Sequence, residues 1–265
     1  SAVTVTNATT AGHALALTLG NNAGGSITDD TATSVTVTTE AQQLSTAANA
    51  SKSTVDLNAA KATSLVFNNA QAVTLSGAST LDGATKVTSI VATGAGNLTL
   101  GDVSGATKLT SIDASAASGK LSVTIPATGN YGLTLKGGSG NDTVTLEGAL
   151  ASAVVSGAVK TTTIDLGAGN DTVIKGTSGS IGAGALVNGG EGTDTIASSL
   201  VNASNSTVIP GFENQLVTSP VLIKQRVLTA ETRLVSTTDS RLQHIAPGDT
   251  ILIGRKPTGT LLISD

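Results

Sequence analysis

Short stretches in which apolar and hydroxyl-bearing residues alternate recur along most of the chain. Ala72–Leu75, Asn97–Leu100 and Leu121–Ile125 all follow this pattern. Successive side chains of a strand point to opposite faces, so the alternation predicts β-strands with a buried apolar face and an outer face of Thr and Ser. The alanine-rich stretch 41–60 is the only helix candidate, and we expect one short helix or a loop there.

Some of these strands belong to an internal repeat. Lys61–Leu65, Lys86–Ile90 and Lys108–Ile112 share one pattern, their starts are 25 and 22 residues apart, and Ala32–Val37 is a weaker copy. A period in the twenties is typical of a solenoid, in which stacked coils bury a face that no coil could bury alone. We therefore predict an all-β fold, a right-handed parallel β-solenoid over residues 1–214. A coil of ~23 residues gives roughly nine coils and a rod of about 45 Å.

Three glycine-rich segments each end in an acid and a short strand. They are Gly137–Thr145 (GGSGNDTVT), Leu166–Ile174 (LGAGNDTVI) and Gly189–Ala197 (GGEGTDTIA). The second lacks only the first glycine of the pattern that the three share, and the acids are 29 and 23 residues apart, close to the coil period. The shared pattern, G-G-x-G-x-D-x-U-x, is the calcium-binding repeat of parallel β-helices.

The residue types suit a calcium ion. Glycine adopts backbone angles closed to other residues, which lets carbonyl oxygens turn toward one point, and the aspartate adds a carboxylate. Because Ca²⁺ takes six to eight oxygens, one loop offers about half a shell and the next stacked loop the rest. The candidate metal residues are Gly138, Gly140, Asn141, Asp142, Gly167, Gly169, Asn170, Asp171, Gly190, Gly192 and Asp194.

Stacking of the three loops predicts at least two ions, one between Asp142 and Asp171 and one between Asp171 and Asp194. The 29-residue step must then be absorbed by a bulge near 148–157. We expect Ca²⁺ to fold or stiffen residues 137–197, and we disfavour Mg²⁺, which resists dehydration. The alternative is a metal-free β-helix in which these segments are plain glycine turns.

Composition supports a thin, layered core in an exported chain. The 265 residues include 31 Gly, one Tyr and two Phe, with no Trp, Met or Cys. Disulfides and thiolate metal sites are thereby excluded, and the lack of cysteine weakly favours export. No apolar run is long enough for a membrane span. Because the chain begins at Ser1 without a methionine or signal-like segment, we expect a processed chain or a fragment.

Charge separates the last part of the chain from the rest. Residues 1–214 hold 8 Lys and 14 acids, a net of −6, whereas 215–265 hold 6 bases, including all four arginines, and 4 acids, a net of +2. Residues 215–265 also contain strand-like runs. They fit a small β cap, an uncleaved secretion signal or an interaction strand for a second subunit, and we rank a cap or assembly element first. A basic, aromatic-rich nucleic-acid surface is absent.

Other polar residues fit structural roles better than chemistry. Asp29 and Asp30 could form a degenerate cation loop, but a plain turn is the better interpretation. Turn capping is expected for Asp82, Asp102 and Asp113, while Asp165 could orient the second loop or be exposed. His13 and His244 lack the partners of a metalloprotease motif or a triad. Since 1–214 also lacks arginine, polysaccharide-lyase chemistry is disfavoured. We therefore expect no enzyme activity.

The three loops resemble RTX motifs, the repeats of bacterial RTX toxins. Leu109–Ser115 and Val208–Asn214 resemble segments of RTX-type surface-layer proteins such as those of Caulobacter and Campylobacter. The resemblance covers about 1–214. It implies type I secretion, folding triggered by calcium outside the cell, and assembly into a sheet or fibre. RTX toxins carry uninterrupted nonapeptides, whereas here one loop occurs per coil, so fewer ions are expected.

The expected function is therefore structural: a secreted calcium-binding protein that self-assembles into a bacterial surface layer or extracellular filament. Its partners would be copies of itself, with a cell-surface polysaccharide as a further candidate, and no nucleic acid or membrane span. Two alternatives remain open. The chain could be an RTX-type adhesin or biofilm matrix protein, or the calcium-binding module of a secreted enzyme.

Overall fold

The computed structural model describes residues 3–4, 12–41, 52–76, 81, 84–126, 132–150, 153–155, 158–182, 184–216, 254–255 and 261–262. The chain divides into two compact units, residues 1–218 and 219–265. In the second unit, β23 (Gly254–Arg255) pairs antiparallel with β24 (Leu261–Leu262). No helix of the described ranges is long and apolar enough to cross a membrane.

The first unit is a parallel β-solenoid built on two long sheets to which the chain contributes strands by turns. The ten-stranded sheet comprises, in order, β1 (Val3–Thr4), β3 (Gly24–Thr28), β5 (Lys52–Asn58), β7 (Ala72–Leu75), β9 (Leu98–Asp102), β11 (Leu121–Ile125), β13 (Thr143–Leu146), β18 (Thr172–Lys175), β21 (Thr195–Ala197) and β22 (Asn214–Leu216). The eight-stranded sheet comprises β2 (His13–Leu19), β4 (Ala32–Thr39), β6 (Ser64–Asn69), β8 (Ser89–Gly94), β10 (Ser111–Ala117), β12 (Thr134–Lys136), β17 (Thr162–Asp165) and β20 (Ala185–Asn188). The fold class predicted from the alternating pattern is confirmed.

The core consists of columns of aliphatic side chains that run along the stack, one residue per coil. One column is continuous through seven strands of the eight-stranded sheet, and each member is at most 2% exposed. Its members are Val35, Leu65, Ile90, Ile112, Leu135, Ile164 and Val187. Each coil is too thin to bury these side chains alone, so burial depends on the neighbouring coils.

The predicted repeat is also confirmed at the level of register. Ser64 pairs with Ser89, and Ser89 with Ser111, so the three Lys-containing copies stack in the alignment that their sequences suggest. The weaker copy joins them, because Ser34 pairs with Ser64. The helix or loop considered for 41–60 is wrong for Lys52–Asn58, which forms β5 because its alternating residues bury one face. Residues 42–51 of that stretch lie outside the described residues.

The long step between the first and second glycine loops is absorbed by an insertion. After β13, β14 (Ala149–Leu150) pairs parallel with β19 (Ser180–Ile181). A separate hairpin then follows, formed by β15 (Ala153–Val155) and β16 (Ala158–Lys160). The bulge expected near 148–157 is therefore present. Two 3₁₀ helices, Ser198–Leu200 and Ser206–Val208, precede the last strand of the ten-stranded sheet.

Candidate cation site

The three glycine loops stack directly on one another. Thr143 pairs with Thr172, and Thr172 with Thr195, so each aspartate lies in the same position of its coil. The 29-residue step does not disturb this register, because the inserted hairpin belongs to neither long sheet. The geometric condition for shared sites between adjacent loops is met.

The aspartates continue a column that is aliphatic in the preceding coils. Val73 pairs with Leu98, Leu98 pairs with Leu121, and the amide of Leu121 donates to Asp142 Oδ1 at 2.7 Å. The next two members are Asp171 and Asp194. All three aspartates are at most 1% exposed, as buried as the leucines before them. A core column of hydrocarbon thus changes to carboxylates within one coil.

Backbone amides link the carboxylates into a ladder. The amide of Asp142 donates to Asp171 Oδ1 at 2.6 Å, and that of Asp171 donates to Asp194 Oδ1 at 2.7 Å. The ladder ends at an acid outside the three loops, because the amide of Asp194 donates to Glu213 Oε2 at 2.8 Å. Each acid therefore turns one oxygen back toward the preceding coil.

The second carboxylate oxygens are less well satisfied. Asp142 Oδ2 accepts a 3.0 Å hydrogen bond from the amide of Gly138. Oδ2 of Asp171 and Oδ2 of Asp194 are buried and have no hydrogen-bond partner among the described residues. A buried carboxylate oxygen without a partner is costly, so the ionised ladder has an unmet demand for positive charge.

Burial changes the ionisation of the ladder. The pKa of Asp171 is raised to about 7, mainly by desolvation and in smaller part by the charges of Asp142 and Asp194. Desolvation also raises the pKa of Asp142 and that of Asp194, with Glu213 adding to the shift at Asp194. Without a compensating cation, ionisation of these groups opposes folding.

Close stacking leaves no space for a side chain at these glycines in any of the three loops, and the backbone conformation adds a second requirement in two of them. In the second and third loops, Gly167, Gly169, Gly190 and Gly192 have φ of 89°, 130°, 106° and 137°, as expected for the left-handed region. The expectation is wrong for the first loop, in which the φ angles of Gly138 and Gly140 are not positive. There the need is for space, because a Cβ on Gly138 or Gly140 would lie closer than 3.0 Å to carbonyl oxygens of the preceding coil.

The asparagines of the loops form their own ladder on the outside. Asn141 Oδ1 accepts from the amide of Asn170, and Asn170 Oδ1 accepts from the amide of Thr193, both at 2.9 Å. These exposed side chains are therefore engaged with the next coil and not with the carboxylate column. A contribution of Asn141 or Asn170 to a cation site would come from the backbone carbonyl.

The donor set suits a hard cation that accepts few carboxylates. No group of three or more His, Cys, Asp or Glu side chains within the described ranges could hold a metal ion. The cause is geometric, since each coil contributes one acid to the column and a gap between coils meets two. The remaining ligands would be carbonyl oxygens and water, a mixture that Ca²⁺ tolerates through its variable coordination.

The other polar candidates have structural partners. Asp29 Oδ1 accepts from Thr31 and Ala32, as in a plain turn, while Asp29 Oδ2 is 2.8 Å from His13 Nε2. Burial alone would raise the pKa of Asp29, but these hydrogen bonds together lower it. No sequence motif predicts the His13–Asp29 pair, because His13 begins β2 and Asp29 follows the end of β3.

Turn capping is confirmed at two of the three corner aspartates. Asp102 Oδ1 accepts from the amide of Ser104, and Asp113 Oδ1 accepts from the amide and hydroxyl of Ser115. Asp165 is exposed and accepts a 3.0 Å hydrogen bond from Asn188 Nδ2. Asp82 and His244 lie outside the described residues.

Glu213 is the acid that the sequence motif missed. It lies in none of the three glycine loops, and only its position after Gly211 hints at a fourth, shortened copy.

Comparison of the chain with protein-family models, curated proteins and solved structures found no match.

Proposed function

We propose that the chain is a secreted structural protein that binds calcium along the aspartate column and assembles into a bacterial surface layer or extracellular filament. The observation that carries the proposal is the buried ladder of Asp142, Asp171 and Asp194, with orphaned oxygens on the last two. Such a column is unfavourable in an ionised, metal-free protein and favourable once a divalent cation lies beside it.

Calcium would act as a folding ligand. Because its binding free energy becomes folding free energy, the coils that contain the glycine loops would be only marginally stable where calcium is scarce and would be fully ordered after export. The ions would be held between adjacent loops, with the carboxylates of neighbouring coils and glycine-loop carbonyls as ligands. The mechanism needs no chemistry from the protein beyond binding and ordering, so it involves no catalytic residue.

Self-assembly is supported by the exposed end of the first unit. β22 is the last strand of the ten-stranded sheet, its three residues are exposed, and Leu216 is 43% exposed. A terminal parallel strand presents backbone donors and acceptors to another chain. A stack ordered by calcium would hold this strand in a fixed geometry.

The first test is the calcium dependence of stability. At a calcium concentration about 100-fold above Kd, binding adds about 2.7 kcal/mol per site, which raises Tm by roughly 5–10 °C for a unit of this size. Asp171→Asn keeps the acceptor for the amide of Asp142 but removes the charge shared by both predicted ions. We expect it to lose more than half of the shift.

Asp30→Asn is the matched control, because it removes one negative charge from an exposed turn and should keep the full shift. Electron microscopy should show ordered sheets or filaments with calcium and none after chelation. A wild-type Tm that is unchanged at millimolar calcium would contradict the proposal. Calcium-independent assembly by Asp171→Asn would contradict the role given to the column in assembly.

A further inference from the structure

The carboxylate ladder extends one coil beyond the three glycine loops, to Glu213. We propose that Glu213 completes a further cation site, between the third loop and the segment Gly211–Glu213. The site rests on the proposed function, because it uses the same kind of ion, but its residues belong to no glycine-aspartate motif. It would add one ion to the two expected from the three loops.

Glu213 occupies the place that an aspartate occupies in the loops. Its Oε2 accepts the amide of Asp194 at 2.8 Å, as Asp194 Oδ1 accepts the amide of Asp171. The backbone pairs in the same register, since Thr195 is opposite Asn214. The fourth rung is therefore equivalent to the others in both its hydrogen bond and its strand position.

The longer side chain compensates for a shorter turn. In the third loop, Asp194 follows Gly190 by four residues, whereas Glu213 follows Gly211 by only two. Gly211 nevertheless stacks on the third loop, with φ of 74° and its atoms against Gly189 and Gly190. A glutamate reaches the column from this tighter corner, and the extra methylene explains why the acid differs from the three before it.

Two oxygens lie side by side at this gap, and the carboxylate of Glu213 borders it. Asp194 Oδ2 is fully buried and has no hydrogen-bond partner among the described residues. A Cβ built on Gly189 would lie 2.6 Å from Asp194 Oδ2 and would also overlap the carbonyl oxygen of Gly211, so these two oxygens lie close together beside a residue that has no side chain. Glu213 adds a carboxylate whose other oxygen, Oε1, is free of the amide bond to Asp194.

The same arrangement recurs at the first loop, where a cation is already expected. A Cβ on Gly137 would overlap Asp142 Oδ2 and the carbonyl oxygen of Leu166, which belongs to the following coil. In both places a carboxylate turns Oδ1 toward the preceding coil and leaves Oδ2 beside a carbonyl of the next one. The gap between Asp194 and Glu213 therefore shares this pairing of a carboxylate and a carbonyl oxygen with the gap between Asp142 and Asp171. The two differ in that Asp142 Oδ2 also accepts the amide of Gly138, whereas Asp194 Oδ2 has no hydrogen-bond partner among the described residues.

The ligand class follows from the donors. Two carboxylates and a carbonyl are hard oxygen ligands for a divalent cation, and Glu213 is exposed, so water can complete the shell. Calcium accepts such an irregular and partly hydrated shell more readily than Mg²⁺, which demands a near-octahedral one.

The test compares calcium bound per chain in three variants by equilibrium dialysis against free calcium. Glu213→Gln keeps an oxygen for the amide of Asp194 and removes the charge, and Glu213→Asp keeps the charge but withdraws it by one methylene. Glu191→Gln is the matched control, because Glu191 is an exposed glutamate of the third loop. Far-UV circular dichroism with calcium establishes that each variant is folded.

We expect Glu213→Gln and Glu213→Asp each to bind one ion fewer than wild type, or to bind that ion at least tenfold more weakly, while Glu191→Gln matches wild type. The inference is overturned if the Glu213 variants bind as many ions as Glu191→Gln with unchanged affinity. If wild type binds no calcium at all, the proposed function itself is overturned. An unfolded Glu213→Gln beside a folded Glu213→Asp with full stoichiometry also counts against the site.

Discussion

Asp171 shows most clearly how one residue links ionisation to folding. Its carboxylate lies between two other acids and is 1% exposed, and burial with its neighbours raises its pKa to about 7. An aspartate in the unfolded chain has a pKa near 3.9. Between these values the folded protein binds a proton that the unfolded chain has released. The stabilising contribution of protonated Asp171 is thus complete below about pH 4 and is lost as pH rises through 7.

The resulting prediction concerns calcium-free protein. The free energy of unfolding of wild type should fall, relative to that of Asp171→Asn, by on the order of 2–4 kcal/mol between pH 4 and pH 8. Urea denaturation at a series of pH values in calcium-depleted buffer measures both proteins. The comparison with the variant cancels groups such as Asp29 and Asp113, whose lowered pKa values act in the opposite direction.

With calcium bound, the free energy of unfolding should no longer fall from pH 4 to pH 8 but rise, because a bound cation favours the ionised form of Asp171. Apparent calcium affinity should then decrease as pH falls below 7, where protons compete for Asp171. If the free energies of unfolding of wild type and of Asp171→Asn change with pH in parallel, the buried carboxylates do not bind the proton.

At the scale of the strand and loop, close stacking decides which residues are permitted. Gly192 has φ of 137°, and a Cβ there would overlap the carbonyl oxygen of Gly169 in the preceding coil. Both the backbone conformation and the space exclude a side chain. The glycines thus set the distance between loops, on which the position of the carboxylates depends.

Gly192→Ala should therefore destabilise the protein by about 3 kcal/mol or more and weaken calcium binding. Gly20→Ala is the control, since a Cβ at Gly20 would meet nothing within 4 Å and should change stability by no more than about 0.5 kcal/mol. Urea denaturation with and without calcium measures both variants. If Gly192→Ala and Gly20→Ala are equally stable, the loops can move apart without a cost in the free energy of folding.

The register of the strands and the stacking of the loops could largely be predicted from the sequence. The copies that begin at Lys61, Lys86 and Lys108 predict the coil register correctly, because alternation and period constrain a solenoid strongly. The stacking of the three loops follows from the same period. Strand β5 itself contains no alanine and follows the alternating pattern, so it was missed because the alanine-rich residues around it dominated the interpretation of 41–60. Its pairing with β3 and β7 places it in the ten-stranded sheet.

The rest of the site required three-dimensional information. Nothing in the motif distinguishes the first loop, where glycine meets a need for space alone, from the others, where it meets a need for both space and positive φ. The role of Glu213 depends on a turn two residues shorter than the repeat, which hides it from any fixed spacing. The His13–Asp29 pair likewise arises from the stacking of adjacent coils.

The first unit as a whole contains two kinds of stacked coil. In the coils that contain β6, β8 and β10, the core columns are apolar except for the buried Asn69, and they hold no buried carboxylate. In the coils that contain β13, β18 and β21, one column consists of buried aspartates. A solenoid is stabilised by its intrinsic coil energies and by contacts between neighbours, so its two parts can differ in stability.

Hydrogen exchange should reveal this difference. In calcium-free protein at pH 8, amides of β6, β8 and β10 should remain protected, while those of β13, β18 and β21 should exchange at least tenfold faster. Calcium should slow exchange in the second group far more than in the first, because the ions bind between the glycine loops and at the adjoining Glu213. Magnesium at the same concentration should produce a much smaller change, since its smaller and more rigid hydration shell fits these ligands poorly.

Asp171→Asn provides the control for this experiment, because it should reduce the calcium effect on β13, β18 and β21 without altering β6, β8 and β10. Uniform protection by calcium along all six strands would contradict the division, since it would mean that the aliphatic coils also depend on the ion. Calcium-dependent protection confined to β13, β18 and β21 would instead show that the apolar coils fold without the ion. The calcium-binding coils are then ordered against them and hold the terminal strand β22 in place.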